Sequence, residues 1–215
     1  MSMIKALRTL AAIENGTLNA AQLEAQVAGS QARKDEITQL LAVTSLHARI
    51  ANSRNAMDAL IGSSTAWGLI MLHGRLGAFI AECAESASAK MAFYNSDAAL
   101  NALKESPAAM AALRAASRYS VISAAPNSAT PVVVYPPGNA NILLGASLSS
   151  GVNGTHTFST LRGGSGVSAV VTNNSSPDPL ARDSDVAIPL TGPYSFTSSL
   201  TAGYAAYFGF LRCDA

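Results

Sequence analysis

Charge is scarce in this chain. Aspartate, glutamate, lysine and arginine make up 13% of its 215 residues, about half the share usual in a soluble domain. The two signs nearly cancel, leaving a formal net charge of +1, and no lysine follows Lys104. Gripping a phosphate backbone requires clustered cations. The nearest approach to a cluster, Arg33-Lys34, runs straight into Asp35-Glu36 and reads as a solvated helix face, so nucleic-acid binding is not expected. Few charges and many small residues suit surfaces that lie against other protein.

Cysteine is almost as sparse. Cys83 and Cys213 stand far apart in the chain, too few for a disulfide framework, and read as two reduced thiols of a protein made in a cytosol. Long apolar runs are also lacking. The opening residues, MSMIKALRTLAAIENG, are interrupted by Arg8 and Glu14 and do not read as a signal peptide. The best membrane candidate, Thr65 to Ala81, falls short of the ~20 residues a span requires and contains His73 and Arg75. It reads as a helix buried between subunits, with no membrane span.

Proline is nearly missing from the first half, where Pro107 is the sole example before residue 120. Alanine, leucine, glutamine and methionine dominate there. Beyond, proline, glycine, serine, threonine, asparagine and valine take over. This switch predicts an α+β chain: an all-helical segment of short helices over residues 1–122, a linker at 123–131, and an antiparallel β-sandwich over 132–215. Seven strands are expected, at Val132–Tyr135, Asn141–Leu148, Thr155–Leu161, Val167–Thr172, Asp185–Thr191, Tyr194–Ser198 and Tyr204–Leu211, separated by turns such as Pro136-Pro137-Gly138 and Arg162-Gly-Gly164.

In the helical half, Asn15-Gly16 closes an opening helix. Asn19-Ala-Ala-Gln22 then reads as a capping box, and the next helix breaks near Gly29-Ser30. From Asp35 onward Ile37, Leu40, Leu41, Thr44 and Ile50 follow one helical face. A ten-residue pattern comes next: Ser53-Arg-Asn-Ala-Met-Asp-Ala-Leu60, Ser63-Ser-Thr-Ala-Trp-Gly-Leu-Ile70, Ser96-Asp-Ala-Ala-Leu-Asn-Ala-Leu103 and Ser106-Pro-Ala-Ala-Met-Ala-Ala-Leu113, with a degenerate copy at Ser86–Phe93. One continuous helix would turn its apolar face by about 80° per repeat. The pattern therefore predicts a series of short helices, each restarted by its serine as N-cap. Pro107 fits the first turn after such a cap.

Bulky apolar groups between Ser86 and Ser117 are few, and burying each contributes roughly 1.5–3 kcal/mol against about 1–2 kcal/mol for ordering every residue. This predicts that copies of the chain supply surface to one another. The expected interface residues are Trp67, Leu69, Ile70, Leu72, Leu76, Phe79, Leu100, Leu103, Met110 and Leu113.

Residues with catalytic or ligating chemistry do not gather. His47, His73 and His156 have no partner at ligand spacing, so they read as a helix-surface, an interface and an exposed strand histidine. No G-x-S-x-G elbow occurs. Arg162-Gly-Gly-Ser-Gly166 lacks the lysine and following helix of a phosphate loop. Asp183 and Asp185 offer two oxygens where calcium takes six to eight, and with Asp178 and Asp214 they read as exposed loop carboxylates. Neither an enzyme nor a cofactor or metal site is expected. A shallow glycan site needs exposed aromatics. Tyr135, Tyr194, Phe196, Tyr204 and Tyr207 are available for one, with Tyr194, Tyr204 and Tyr207 as the candidates for surface binding.

Ile4 to Asn19, IKALRTLAAIENGTLN, with the following AAQLEA, resembles the opening of tail, fibre and other virion proteins of tailed bacteriophages. The serial units Ser53–Leu60, Ser63–Ile70 and Ser106–Leu113 are similar to the S-x-T-A-M-x-A-I units of such proteins. The resemblance covers about the first 115 residues. It implies a non-enzymatic virion subunit, made in a bacterial cytoplasm, whose helical half docks on other virion proteins and whose β half projects. It also implies a homotrimer, placed on the tail as a fibre or baseplate-proximal protein. The alternatives are a head decoration or head-fibre protein, or a module that binds a host receptor or glycan.

Overall fold

The computed structural model describes residues 3–124, 132–148, 187–192, 194–196 and 206–215. The chain divides into two compact units, Met1–Ser117 and Arg118–Ala215.

In the first unit the described residues form ten α-helices. They are α1 (Met3–Glu14), α2 (Ala20–Ala28), α3 (Gln31–Ala42), α4 (His47–Asn52), α5 (Arg54–Gly62), α6 (Ser64–Met71), α7 (Leu76–Glu85), α8 (Ala87–Tyr94), α9 (Asp97–Lys104) and α10 (Pro107–Arg114), with a 3-10 turn at Thr44–Leu46 before α4. Asn19 and Gln22 form the expected capping box on α2, and Gly16 takes the left-handed conformation (φ 78°) after α1.

The serine repeat sets the length of the later helices. Ser53, Ser63, Ser86, Ser96 and Ser106 lie in extended backbone, and each side chain accepts the amide N–H of the alanine three residues on: Ala56, Ala66, Ala89, Ala99 and Ala109. That bond satisfies one of the orphan donors of a new helix, while the extended residue redirects the chain. Ser53, Ser63 and Ser86 also close the helix before them, so a single residue makes each of those corners.

The capped alanines are all fully buried. The residue after each is buried as well (Met57, Trp67, Lys90, Leu100 and Met110), as is the one a helical turn further: Leu60, Ile70, Phe93, Leu103 and Leu113. Lys90 is the exception in kind, a lysine seated where its counterparts are apolar.

Packing follows a rule of three. α2 lies against α5, α3 against α6, α4 against α7, α5 against α8, α6 against α9 and α7 against α10. Three helices therefore complete one turn of a stack, as in a solenoid. A corner every ten residues returns the apolar face to the centre, which a continuous helix would carry away.

Three expectations need correcting here. Ile37 and Ile50 do not share a helix: Val43 is extended (φ −96°, ψ 94°), and β-branched Val43-Thr44 ends α3 where the hydrophobic spacing alone suggested continuity. Thr65 to Ala81 is not one helix, because the turn Leu72–Arg75 separates α6 from α7; no described helix is long and apolar enough to cross a membrane. Finally, of the ten residues assigned to a subunit interface, Trp67, Ile70, Leu76, Phe79, Leu100, Leu103, Met110 and Leu113 are buried within a single copy. The close approach of alanine-lined helices lets one chain assemble the core that a count of bulky residues suggested it lacked. Leu69 is half-buried, and Leu72, at 89% exposed, is the one member fully open to solvent.

The second unit is antiparallel. Its described strands are β1 (Tyr119–Ala124), β2 (Val132–Val134), β3 (Asn141–Leu148), β4 (Ile188–Leu190), β5 (Tyr194–Phe196) and β6 (Ala206–Arg212). β1, β6, β3 and β4 form a four-stranded sheet in that order, and β2 pairs with β5. β6 is held on both sides, Phe210 facing Ser120 on β1 and Leu143 on β3. A bulge at Leu143–Gly145 interrupts the β3–β6 register. Ile142, Leu143, Leu144, Leu190, Phe208, Phe210 and Leu211 are buried. Gly209 is needed where it stands, since a Cβ there would lie 2.7 Å from Cζ of Tyr119.

The α+β class thus agrees with the sequence. β1 begins before the boundary expected at 122, inside the segment read as helical; Tyr119, Val121 and Ile122 carry its β preference. Thr155–Leu161 and Val167–Thr172 lie outside the described residues, as does most of the linker expected at 123–131.

Candidate functional site

The first three helices enclose an open cleft of about 610 Å³, lined by Lys5, Arg8, Thr9, Thr17, Leu18, Gln26, Arg33 and Glu36 among others. Its back wall is a polar cluster joining α1 to α3. Thr9 donates its hydroxyl proton to Oε2 of Glu36 at 2.7 Å, and Nη1 of Arg33 donates to the same oxygen at 2.7 Å. Glu36 is 4% exposed, so its charge is held by partners rather than by water. The Arg33–Glu36 segment is therefore a seam between helices, not the solvated face expected for it. The signal was present in the spacing: Glu36 neighbours Ile37 and Leu40 on the buried side of α3.

The floor of the cleft is set by the turn after α1. With Gly16 left-handed, Leu18 N–H reaches back to the Ala12 carbonyl at 2.9 Å, and Thr17 N–H bonds Oδ1 of Asn15 at 3.0 Å. This places Leu18, buried, under the opening. Lys5 and Arg8 stand on the rim, both exposed, and neither has an ion-pair partner among the described residues. Three cations against one buried carboxylate give the cleft a net positive lining.

α1 also carries Met3, Ile4 and Leu7, which are 37%, 62% and 37% exposed and do not line the cleft. They border the stripe of Ala6, Leu10 and Ile13, which enters the core.

A second polar cluster fixes the α2–α6 contact. Glu24 accepts the Ser63 hydroxyl at 2.6 Å, the Thr65 hydroxyl at 2.6 Å and the Thr65 amide at 2.9 Å. These bonds, that from Ser63 first, hold its carboxyl at about 2. The cluster is a clasp at the start of a helix, and its hydrogen bonds are spent on the fold.

The residues weighed for chemistry are scattered. His47 is buried, contrary to its expected surface position; its Nε2 lies 2.7 Å from the Leu41 carbonyl and its ring meets Phe79 edge-on at 5.4 Å. His73 accepts the Arg75 amide at 3.1 Å, and burial followed by the nearby His47 and Arg75 lowers its pKa. His156, Asp178, Asp183 and Asp185 lie outside the described residues. Asp214 accepts from Nε of Arg212 at 2.6 Å and from the Asn139 amide at 2.8 Å. Burial raises its pKa, but the two bonds outweigh burial and the net shift is downward. Among the described residues no three His, Cys, Asp or Glu side chains are grouped to hold a metal ion. Of the tyrosines named for surface binding, Tyr207 is half-buried on β6; Tyr204 and the side chain of Tyr194 lie outside the described residues. Tyr135 is 68% exposed.

No protein-family model matches the chain, and no curated protein matches it either.

Proposed function

We propose that this protein is a non-enzymatic structural component of a tailed bacteriophage particle. Its helical unit docks on other virion proteins and oligomerises, and its β unit projects from the particle as a sandwich that forms a fibre or tip domain. The tail is the favoured location, and the assembled form is a homotrimer.

The observation that carries this reading is the serine repeat. With the opening Ile4 to Asn19 it is one of the two features that resemble phage virion proteins, and here it builds a stack of short helices whose serines are spent on capping. Stacks of this kind offer long surfaces to partners rather than enclosed reaction sites. With most of the bulky side chains named from the sequence used in the core of one copy, contacts between copies fall to the exposed apolar residues Met3, Ile4, Leu7 and Leu72.

Electron microscopy of purified particles labelled with a chain-specific antibody tests the assignment. Label is expected on the tail. Label on the head moves the protein to a decoration role, and particles without label remove it from the virion.

A further inference from the structure

We infer that the cleft enclosed by the first three helices binds a small phosphate-bearing polyol, with Arg33 as its anchor. The geometry begins at Glu36. Nη1 of Arg33 donates twice inside the seam, to Oε2 of Glu36 at 2.7 Å and to Oγ1 of Thr9 at 3.0 Å. Glu36 is 4% exposed and Thr9 is buried too, so the guanidinium is gripped from the core. The side chain of Arg33 is nonetheless 41% exposed and lines the cleft. Its Nε and Nη2 have no partner among the described residues. That edge is the fork that matches two oxygens of a phosphate or carboxylate. The other arginine ion pairs among the described residues differ on this point. Arg49, Arg54 and Arg212 each commit Nε to a carboxylate, whereas Arg33 is paired through its far nitrogen and keeps the fork.

Two further cations share the cleft. Lys5, Arg8, Thr9 and Ala12, spaced by three and four residues, lay one face of α1 along it. Lys5 and Arg8 are exposed and repel each other mildly at this spacing. Neither has an ion-pair partner among the described residues. The whole chain has a net charge of only +1. Here three cations meet one carboxylate that already accepts from Arg33 and Thr9, and a dianion relieves that excess. A phosphate ester carries about −1.5 to −2 charges at neutral pH, a closer match than the single charge of a protein carboxylate. The cleft, at about 610 Å³, has room for the group that carries the phosphate. No aromatic side chain lines it among the described residues, so a nucleotide base finds nothing to stack on. Gln26 lines it, is exposed, and makes no side-chain hydrogen bond among the described residues. Its amide both donates and accepts, which suits the hydroxyls of a polyol.

Isothermal titration calorimetry of the full chain with glycerol 3-phosphate, inorganic phosphate and glycerol reads the site. Glycerol 3-phosphate should saturate a single site per chain, inorganic phosphate should bind several-fold more weakly, and glycerol should give no heat of binding. Arg33→Lys keeps a charge beside Glu36 but removes the fork, and should weaken glycerol 3-phosphate about tenfold. Lys5→Gln and Arg8→Gln, at exposed positions, should each weaken it about fivefold with the melting curve unchanged; these two decide the matter if Arg33→Lys melts early. Absence of saturable binding, or binding untouched by the Lys5 and Arg8 substitutions, overturns the inference. So does tighter binding of a triglutamate peptide than of glycerol 3-phosphate, which would give the cleft to an acidic protein segment. Equal affinity for glycerol 3-phosphate and inorganic phosphate would overturn the polyol assignment. None of these outcomes depends on where the protein resides, so a failure here is distinguishable from a failure of the virion assignment.

Discussion

Ser63 shows how much one side chain does at a corner of the stack. Its oxygen accepts the Ala66 amide and its proton goes to Glu24, all in a position closed to solvent. Ser106 makes the capping bond alone. Ser106→Ala should therefore cost about 1 kcal/mol in urea unfolding, the usual value of a cap. Ser63→Ala should cost distinctly more, and equal costs would show that the Glu24 bond contributes nothing. Glu24 also links stability to acid. Its carboxyl lies at about 2, below the ordinary 4.5, so the folded state holds the charged form more firmly than the unfolded chain. Its contribution is complete above pH 4.5 and is lost as the pH falls through the folded value near 2. Glu24→Gln should flatten that part of the acid-unfolding profile, and an unchanged profile would contradict the clasp. Both cysteines are buried, and burial pushes the Cys83 thiol well up. A thiol reagent should titrate no cysteine in the native protein and both after denaturation; rapid labelling of the native form would refute the placement of Cys83 in the core.

At the scale of the element, the helices of the repeat are short because their corners are written into the sequence. The serine positions, the breaks at Gly16 and Gly29-Ser30, and the proline after Ser106 were all legible, since each acts through backbone geometry within a few residues. Helix-to-helix packing was not. The ten-residue period reveals that the chain turns, but the rule that each helix from α2 to α7 meets the third one on depends on corner angles that no local pattern encodes. For the same reason Trp67, Phe79 and Leu103 were assigned to a subunit interface when they fill the core of one copy. Glu36 was misplaced because its charge masked its position on the buried side of α3. Lys5 and Arg8 face the Arg33 cleft only after α1 has folded onto α3, so the candidate site could not be assembled by spacing. The α2–α5 contact gives a direct test of packing, because a Cβ on Gly62 would lie 2.7 Å from Cβ of Ala20. Gly62→Ala gains helix propensity of about 1 kcal/mol, yet overpacking costs roughly 1–3 kcal/mol. The net effect should be destabilising, and a raised melting temperature would show that α2 and α5 are further apart than described.

For the whole molecule, the two units divide the work that the proposed role requires. The helical unit gives a stack of short helices, an extended surface of the kind that meets other proteins. The β unit gives an antiparallel sheet centred on the C-terminal strand, with β6 clamped between β1 and β3. Quantitative mass spectrometry of density-purified phage particles tests the central claim most directly. The account predicts that the chain is present in intact particles at a fixed copy number divisible by three and stays with them through high-salt washing. Absence from the particles, or a trace amount that varies between preparations, would contradict it.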